Sequence, residues 1–106
     1  MRSKYGNRKT VIDGIVFDSA REARRYGELK LLQRTGKIRD LELQRKFEIS
    51  PKSDAGRALY YIADFVYWDC NKGQIVVEDA KGYRTDVYKL KKRLMYDRYG
   101  IWIREV

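Results

Sequence analysis

The spacing of apolar residues along the chain switches between a two-residue period and a helical one, and each switch predicts a new element. Thr10-Val11-Ile12-Asp13-Gly14-Ile15-Val16-Phe17 sets an Asp-Gly pair between β-formers, which predicts a tight hairpin. Asp18-Ser19 then offers an N-cap, and a helix is predicted over residues 19–34, stopped at Gly36 in a Thr-Gly-Lys turn. Leu41, Leu43, Phe47 and Ile49 fall on odd positions with Glu42, Gln44, Lys46 and Glu48 between them, the alternation of a half-buried strand. A loop holding Pro51, the only proline, separates it from residues 59–68, whose Tyr, Ile, Phe, Val and Trp predict a second strand. Residues 69–73 read as a turn and 74–81 as a third strand. Thr85 can cap a second helix with Val87, Leu90 and Leu94 as its apolar stripe at i, i+3 and i+7, ending near Tyr99-Gly100. Residues 101–106 alternate again and read as a final strand.

The predicted order is hairpin, helix, three strands, helix, strand. A helix between two strands implies a crossover, so the expected fold is α/β (α+β), a mixed central sheet flanked by two helices. At 106 residues the chain has room for one core, and residues 1–106 are read as a single domain. A hydrophobic content of 43%, with nine Tyr, two Trp and three Phe, is enough to fill that core and excludes a disordered basic tail. Residues 1–9 are polar, basic and without periodicity, and are expected to form a flexible arm.

Charge narrows the partners. Lys and Arg number 24 against 15 Asp and Glu, a net +9 that favours a polyanion, since each neutralised phosphate releases counterions. The cations cluster as Arg2, Lys4, Arg8 and Lys9 early and Lys89, Lys91, Lys92 and Arg93 late, more like contact surfaces than a scatter; a generically soluble basic protein is the plainer alternative. Cys70 stands alone, which removes a disulfide framework and a C-x-x-C zinc site. No run approaches eighteen apolar residues and no signal-peptide core opens the chain, so an intracellular location and no membrane partner are expected. Histidine is absent, which excludes Ser-His-Asp and Cys-His triads, His-ligated zinc and imidazole-based nucleases. Any catalysis must come from carboxylates, Lys, Tyr, Ser/Thr or a metal.

Val76-Val77-Glu78-Asp79-Ala80-Lys81-Gly82 is the most informative stretch. On a strand, Asp79 and Lys81 share a face while Glu78 points away. A carboxylate that holds a divalent ion, beside a Lys that positions the attacking water, is what metal-assisted phosphodiester hydrolysis needs. Taken alone, an acid and a Lys two apart are more often a solvated face. Asp64 is the single acid in the apolar run Tyr60-Tyr61-Ile62-Ala63-Asp64-Phe65-Val66-Tyr67, so it requires a partner or a metal; a hairpin between the two strands would bring it toward Asp79. On the first helix, Ala20, Ala23, Tyr26, Gly27, Leu29 and Leu31 cover one broad side with Glu22 at its edge, while Glu28 falls opposite among Arg21, Arg24 and Arg25. For Asp64 and Glu22 alike, a structural salt bridge is the alternative. On the second helix, Lys89, Lys92 and Arg93 lie off the apolar stripe and can reach phosphates, and Thr85 at its start can present N–H groups to an anion. Gln44 either supports the site, touches DNA or is simply exposed; Tyr83 and Tyr88 either stack on bases or pack.

These residues resemble the PD-(D/E)xK nuclease superfamily in their order: Ser19-Ala20-Arg21-Glu22 on a helix, Asp64 on a strand, then Asp79-Ala80-Lys81 on the next. More narrowly, Lys4-Tyr5-Gly6, Phe17-Asp18-Ser19, Leu43-Gln44, the segment Glu78 to Gly82 and Thr85-Asp86-Val87-Tyr88-Lys89 are similar to a family of small phage endonucleases related to Holliday-junction resolvases, over nearly the full length. The resemblance implies a restriction-endonuclease-like αβββαβ core behind the N-terminal β-hairpin. It also implies metal ligands at Asp64 and Asp79 with a supporting acid at Glu22, a catalytic Lys81, and Mg²⁺ or Mn²⁺ as cofactor. Ala63 stands where the superfamily pattern has Pro, and Glu78 beside Asp79 leaves a shifted register able to exchange their roles. The expected function is a metal-dependent DNA endonuclease, structure-selective toward branched DNA and acting as a homodimer. Arg8, Lys9, Gln44, Thr85, Lys89, Lys92 and Arg93 are the DNA-binding candidates. A non-catalytic nucleic-acid-binding module and a phage interaction protein with incidental charge are the competing expectations.

Overall fold

The computed structural model describes residues 9–80 and 84–106. The elements run β1 (Thr10–Ile12), β2 (Ile15–Phe17), α1 (Ala20–Arg34), β3 (Ile38–Ser50), β4 (Leu59–Asp69), β5 (Gln74–Asp79), α2 (Asp86–Tyr99) and β6 (Arg104–Glu105). β1 and β2 form a separate hairpin, and the main sheet has the order β3-β4-β5-β6. β3, β4 and β5 are antiparallel neighbours, whereas β6 returns parallel to β5 after the α2 crossover. The fold is therefore α+β with a mixed four-stranded sheet and two helices, as the order of periods predicts.

Local signals explain most of the boundaries. Asp13 and Gly14 both take positive φ (54° and 76°), the backbone that a two-residue hairpin turn requires. Ser19 caps α1 by accepting from the Glu22 N–H at 3.1 Å. Thr85 caps α2 in the same way from the Tyr88 N–H, and Gly100 closes it at φ 67°. Thr85 thus spends its hydroxyl on the helix. The final strand is also shorter than predicted, only Arg104 and Glu105 pairing with Glu78 and Asp79.

The core divides into two layers. Phe17, Ala23, Tyr26, Leu29, Ile38, Phe65, Tyr67 and Ala80 pack around α1, while Phe47, Ile49, Tyr61, Ala63, Val66, Val77, Tyr88, Met95 and Ile103 pack around α2. β5 alternates simply, Val76 toward α1 and Val77 toward α2, and Ala80 just beyond its end packs on the α1 side. β3 and β4 do not. Leu41, Leu43, Phe65 and Tyr67 pack on α1, yet Phe47, Ile49, Tyr61 and Ala63, of the same odd parity, pack on α2. The exchange falls where Gln44 lies opposite Asp64, between the pairs Leu43↔Phe65 and Arg45↔Ala63. Gln44 sits there in the left-handed region at φ 53°, which breaks the strand's two-residue period.

Two helix faces differ from the sequence reading. On α1 the buried residues are Glu22, Ala23, Tyr26 and Leu29, while Ala20, Gly27 and Leu31 are exposed. On α2 the buried residues are Tyr88 and Met95; Val87 and Leu90 are exposed and Leu94 is half-buried. No helix among the described residues is long and apolar enough to cross a membrane.

Candidate active site

The sheet opens at the level of Asp64. The last β4–β5 pair is Phe65↔Glu78, one residue short of Asp64 and Asp79, and beyond it the strands part. The Asp64 carboxylate enters this gap: Oδ2 accepts from the Ala80 backbone N–H at 2.8 Å, and Oδ1 accepts from Gln44 Nε2 at 3.3 Å. The same amide nitrogen donates to Glu22 Oε1 at 3.2 Å. One side chain from β3 therefore ties a carboxylate of α1 to a carboxylate of β4. The left-handed turn at Gln44 is what aims it there. Gln44 is exposed and at the same time joins the two carboxylates.

Asp79 leaves the strand on the α2 side. It is 1% exposed, and its Oδ2 accepts from the Tyr61 hydroxyl at 2.7 Å. Tyr61 is pushed far above the ordinary phenol range, first by burial, then by the hydrogen bond and charge of Asp79, with a contribution from Asp64. Both carboxylates thus act on one hydroxyl. Glu78 leaves on the opposite side, as strand alternation predicts, and is fully buried at 0% exposure. Arg25 Nε and Nη2 grip its two oxygens at 2.7 and 2.6 Å, and the Tyr67 hydroxyl donates to the second. Arg25, which the helical projection groups with the solvent-facing Arg21 and Arg24, instead turns inward. Its alkyl length carries the guanidinium from the helix edge to β5.

Lys81 and Arg8 lie outside the described residues, as do Tyr83 and the Lys4-Tyr5-Gly6 motif. Ala80, whose N–H Asp64 holds, is the residue immediately before Lys81. Asp64 therefore fixes the backbone at Ala80. Lys89, Lys92 and Arg93 come together, with Arg84, Tyr96 and Trp102, along a groove of about 490 Å³ between α2 and β6. Lys9 is exposed ahead of β1 and is not among the groove's lining residues. Sequence reasoning missed Arg25, Tyr61 and Trp102; only Trp102 carried a signal, as the outward position between Ile101 and the buried Ile103.

The ligating groups that Gln44 joins, Asp64 and Glu22, are carboxylates, and hard oxygen donors suit Mg²⁺ or Mn²⁺ rather than softer metals. Among the described residues no three Asp, Glu or Cys side chains come together closely enough to hold a metal by themselves. The carboxylates thus fit an ion that Mg²⁺ chemistry permits, held through one or two carboxylates with water and substrate phosphate completing its shell.

The buried phenols give a pH prediction. Burial and its bond to Glu78 push Tyr67 up to about 12, and Tyr26, Tyr61 and Tyr88 are raised for the same two kinds of reason. A folded-state pKa above the unfolded value of about 10 stabilises the protonated fold; that stability is whole below about pH 10 and is lost as pH climbs toward 12. In an alkaline titration, ionisation of these phenols at 295 nm is expected to coincide with loss of the circular dichroism signal. Their ionisation in a still-folded chain would contradict the buried contacts.

The chain belongs to the family described as "Protein of unknown function (DUF1064)", whose sequence model matches residues 2–104. No curated protein and no solved structure matches it.

Proposed function

We propose that this chain is a metal-dependent endonuclease that hydrolyses DNA phosphodiester bonds, with Glu22, Asp64, Asp79 and Lys81 as its working groups. The observation that carries the reading is the gathering of Glu22, Gln44 and Asp64 at the gap between β4 and β5, with Asp79 flanking it and Lys81 next along the chain. Among the described residues the contacts of Asp64 are an amide and a backbone N–H rather than a cation, which favours the site over a structural salt bridge. Glu78 is held by Arg25 and Tyr67 on the α1 side, which favours Asp79, on the side of Tyr61, as the acid of that pair that serves the site.

Asp64 and Glu22 would hold Mg²⁺ or Mn²⁺, with Asp79 as the further acid. A divalent ion bound there supplies charge stabilisation to a phosphoryl oxygen and makes water acidic enough to attack. The remaining work belongs to the chain. Gln44 keeps the two carboxylates at fixed separation, so no ordering is needed when substrate arrives. Asp64 pins the Ala80 N–H, and Lys81, the next residue in sequence, would position the attacking water and balance charge developing on the phosphate. The net charge of +9 favours a polyanionic substrate. Branched DNA is the preferred class, as the resemblance to Holliday-junction resolvases implies; resolving a four-way junction takes two centres, hence two copies.

The test is cleavage of labelled four-way junction, flap, nicked and linear duplex DNA by wild type and Lys81→Ala, in Mg²⁺, Mn²⁺ or EDTA. Cutting that needs metal and is lost in Lys81→Ala is the expected result. No cutting of any substrate, with salt-sensitive binding that persists in EDTA, would replace this reading by the non-catalytic binding module.

A further inference from the structure

Trp102 is an anomaly. Its neighbours Ile101 and Ile103 turn inward, yet at 66% exposure it is the most exposed of the large hydrophobic side chains described. An indole left in water forgoes a large burial gain, so its position is informative. The side chain is nevertheless held in place. Tyr96 meets it edge-on, with ring centroids 5.6 Å apart and planes at 87°, and Lys92 Nζ lies 4.7 Å from the ring centre. Around it the groove carries Arg84, Lys89, Lys92 and Arg93 against Asp97 and Glu105, an excess of two positive charges. The Arg93–Asp97 pair is long, 3.6 Å, and solvent-exposed, so a phosphate can exchange for its carboxylate at little cost.

We propose that this groove is a binding site for an unpaired nucleotide of DNA, with the base stacking on Trp102 and the flanking phosphates taken by Lys89, Arg93 and Arg84. It rests on the nucleic-acid reading above and adds which feature of the substrate is recognised. In a duplex both faces of each base are covered by neighbours, so an exposed indole can engage only a base that has left the stack. Stacking on an aromatic ring inside a cationic groove tolerates any base, which matches a protein that reads structure rather than sequence. A groove of about 490 Å³ is within the size of small-ligand pockets, roughly 300–1,000 Å³. The groove also adjoins the candidate active site. Glu105, which binds Arg84 and Lys92 at its floor, accepts from the Tyr88 hydroxyl and lies beside Asp79 across the parallel β5–β6 pair. An unpaired stretch held at Trp102 would leave the adjoining duplex next to the carboxylates.

The experiment uses the full chain carrying Trp68→Phe, so that Trp102 is the sole indole, titrated in EDTA with a 15-nucleotide oligo(dT) and with a duplex of equal length. Oligo(dT) is expected to quench Trp102 fluorescence. Trp102→Ala is expected to weaken oligo(dT) binding by about 5- to 150-fold, the loss of one stacked base, with duplex affinity changed less than twofold. Trp102→Phe should recover part of the loss. Oligo(dT) affinity within twofold of wild type in Trp102→Ala, or equal weakening of both substrates, would overturn the proposal. So would self-association that depends on Trp102 in a chain that binds neither DNA, since the indole would then be a protein contact. Because EDTA removes any chemistry, a failure of the nuclease reading appears only in cleavage assays and leaves this result standing.

Discussion

Arg25→Ala is expected to destabilise the fold by about 3–5 kcal/mol, the effect of leaving one member of a buried ion pair without its partner. Glu78 has no access to water at 0% exposure, and Arg25 answers both of its oxygens while remaining only 17% exposed itself. Tyr67 alone cannot neutralise the carboxylate left behind. For a domain of this size the melting temperature should fall by roughly 4–8 °C per kcal/mol, so by tens of degrees in total. Arg25→Met combined with Glu78→Leu should recover most of the loss, because an apolar pair of similar volume removes the stranded charge. A single variant that melts within a few degrees of wild type would mean the pair is not buried as described. The pair also matters for chemistry, since it ties α1 to β5 one helical turn from Glu22.

Asp64→Asn is expected to abolish metal-dependent cleavage while leaving the fold nearly intact. Asparagine keeps the shape, and its side-chain oxygen can still accept from the Ala80 N–H. What it loses is the negative charge, and with it the grip on a divalent ion. Removing one group that stabilises charge in a transition state typically costs about 10²–10³ in rate, and loss of the ion itself would cost more. Glu78→Gln provides the contrast. It should lower thermal stability through the Arg25 pair, yet retain cleavage at temperatures well below its melting point. Loss of cleavage in Glu78→Gln at a temperature where it is still folded would instead place Glu78 in the site alongside Asp64.

Much of this was legible in the chain, and the failures have definite causes. Asp13-Gly14, Ser19, Thr85 and Gly100 act through their own backbone preferences, so their turns and caps could be read locally. The rotation of α2 could not. Val87 and Leu94 are seven apart, and so are the buried Tyr88 and Met95, so two stripes of equal period differ by one residue. Tertiary contacts choose between them, among them the reach of the Tyr88 hydroxyl to Glu105 at 2.8 Å. Gln44 failed differently. Odd-position alternation runs straight through it, and nothing local marks a glutamine for φ 53°; the reward lies in Glu22 and Asp64, which are far away in sequence. The acids were legible because an acid in an apolar run has few reasons to be there. Strand alternation also gave the opposite directions of Glu78 and Asp79, but not their partners, Arg25 and Tyr61.

Single-turnover cleavage of a four-way junction, started by adding Mg²⁺ to a complex formed in EDTA, tests the central claim most directly. Wild type and Asp64→Asn would be compared, with melting curves and junction affinity in EDTA measured alongside. Wild type is expected to cut, and Asp64→Asn to cut at a rate at least about 100-fold lower, with affinity and melting temperature essentially unchanged. Equal rates in the two proteins, or no cutting by wild type in either Mg²⁺ or Mn²⁺, would contradict it.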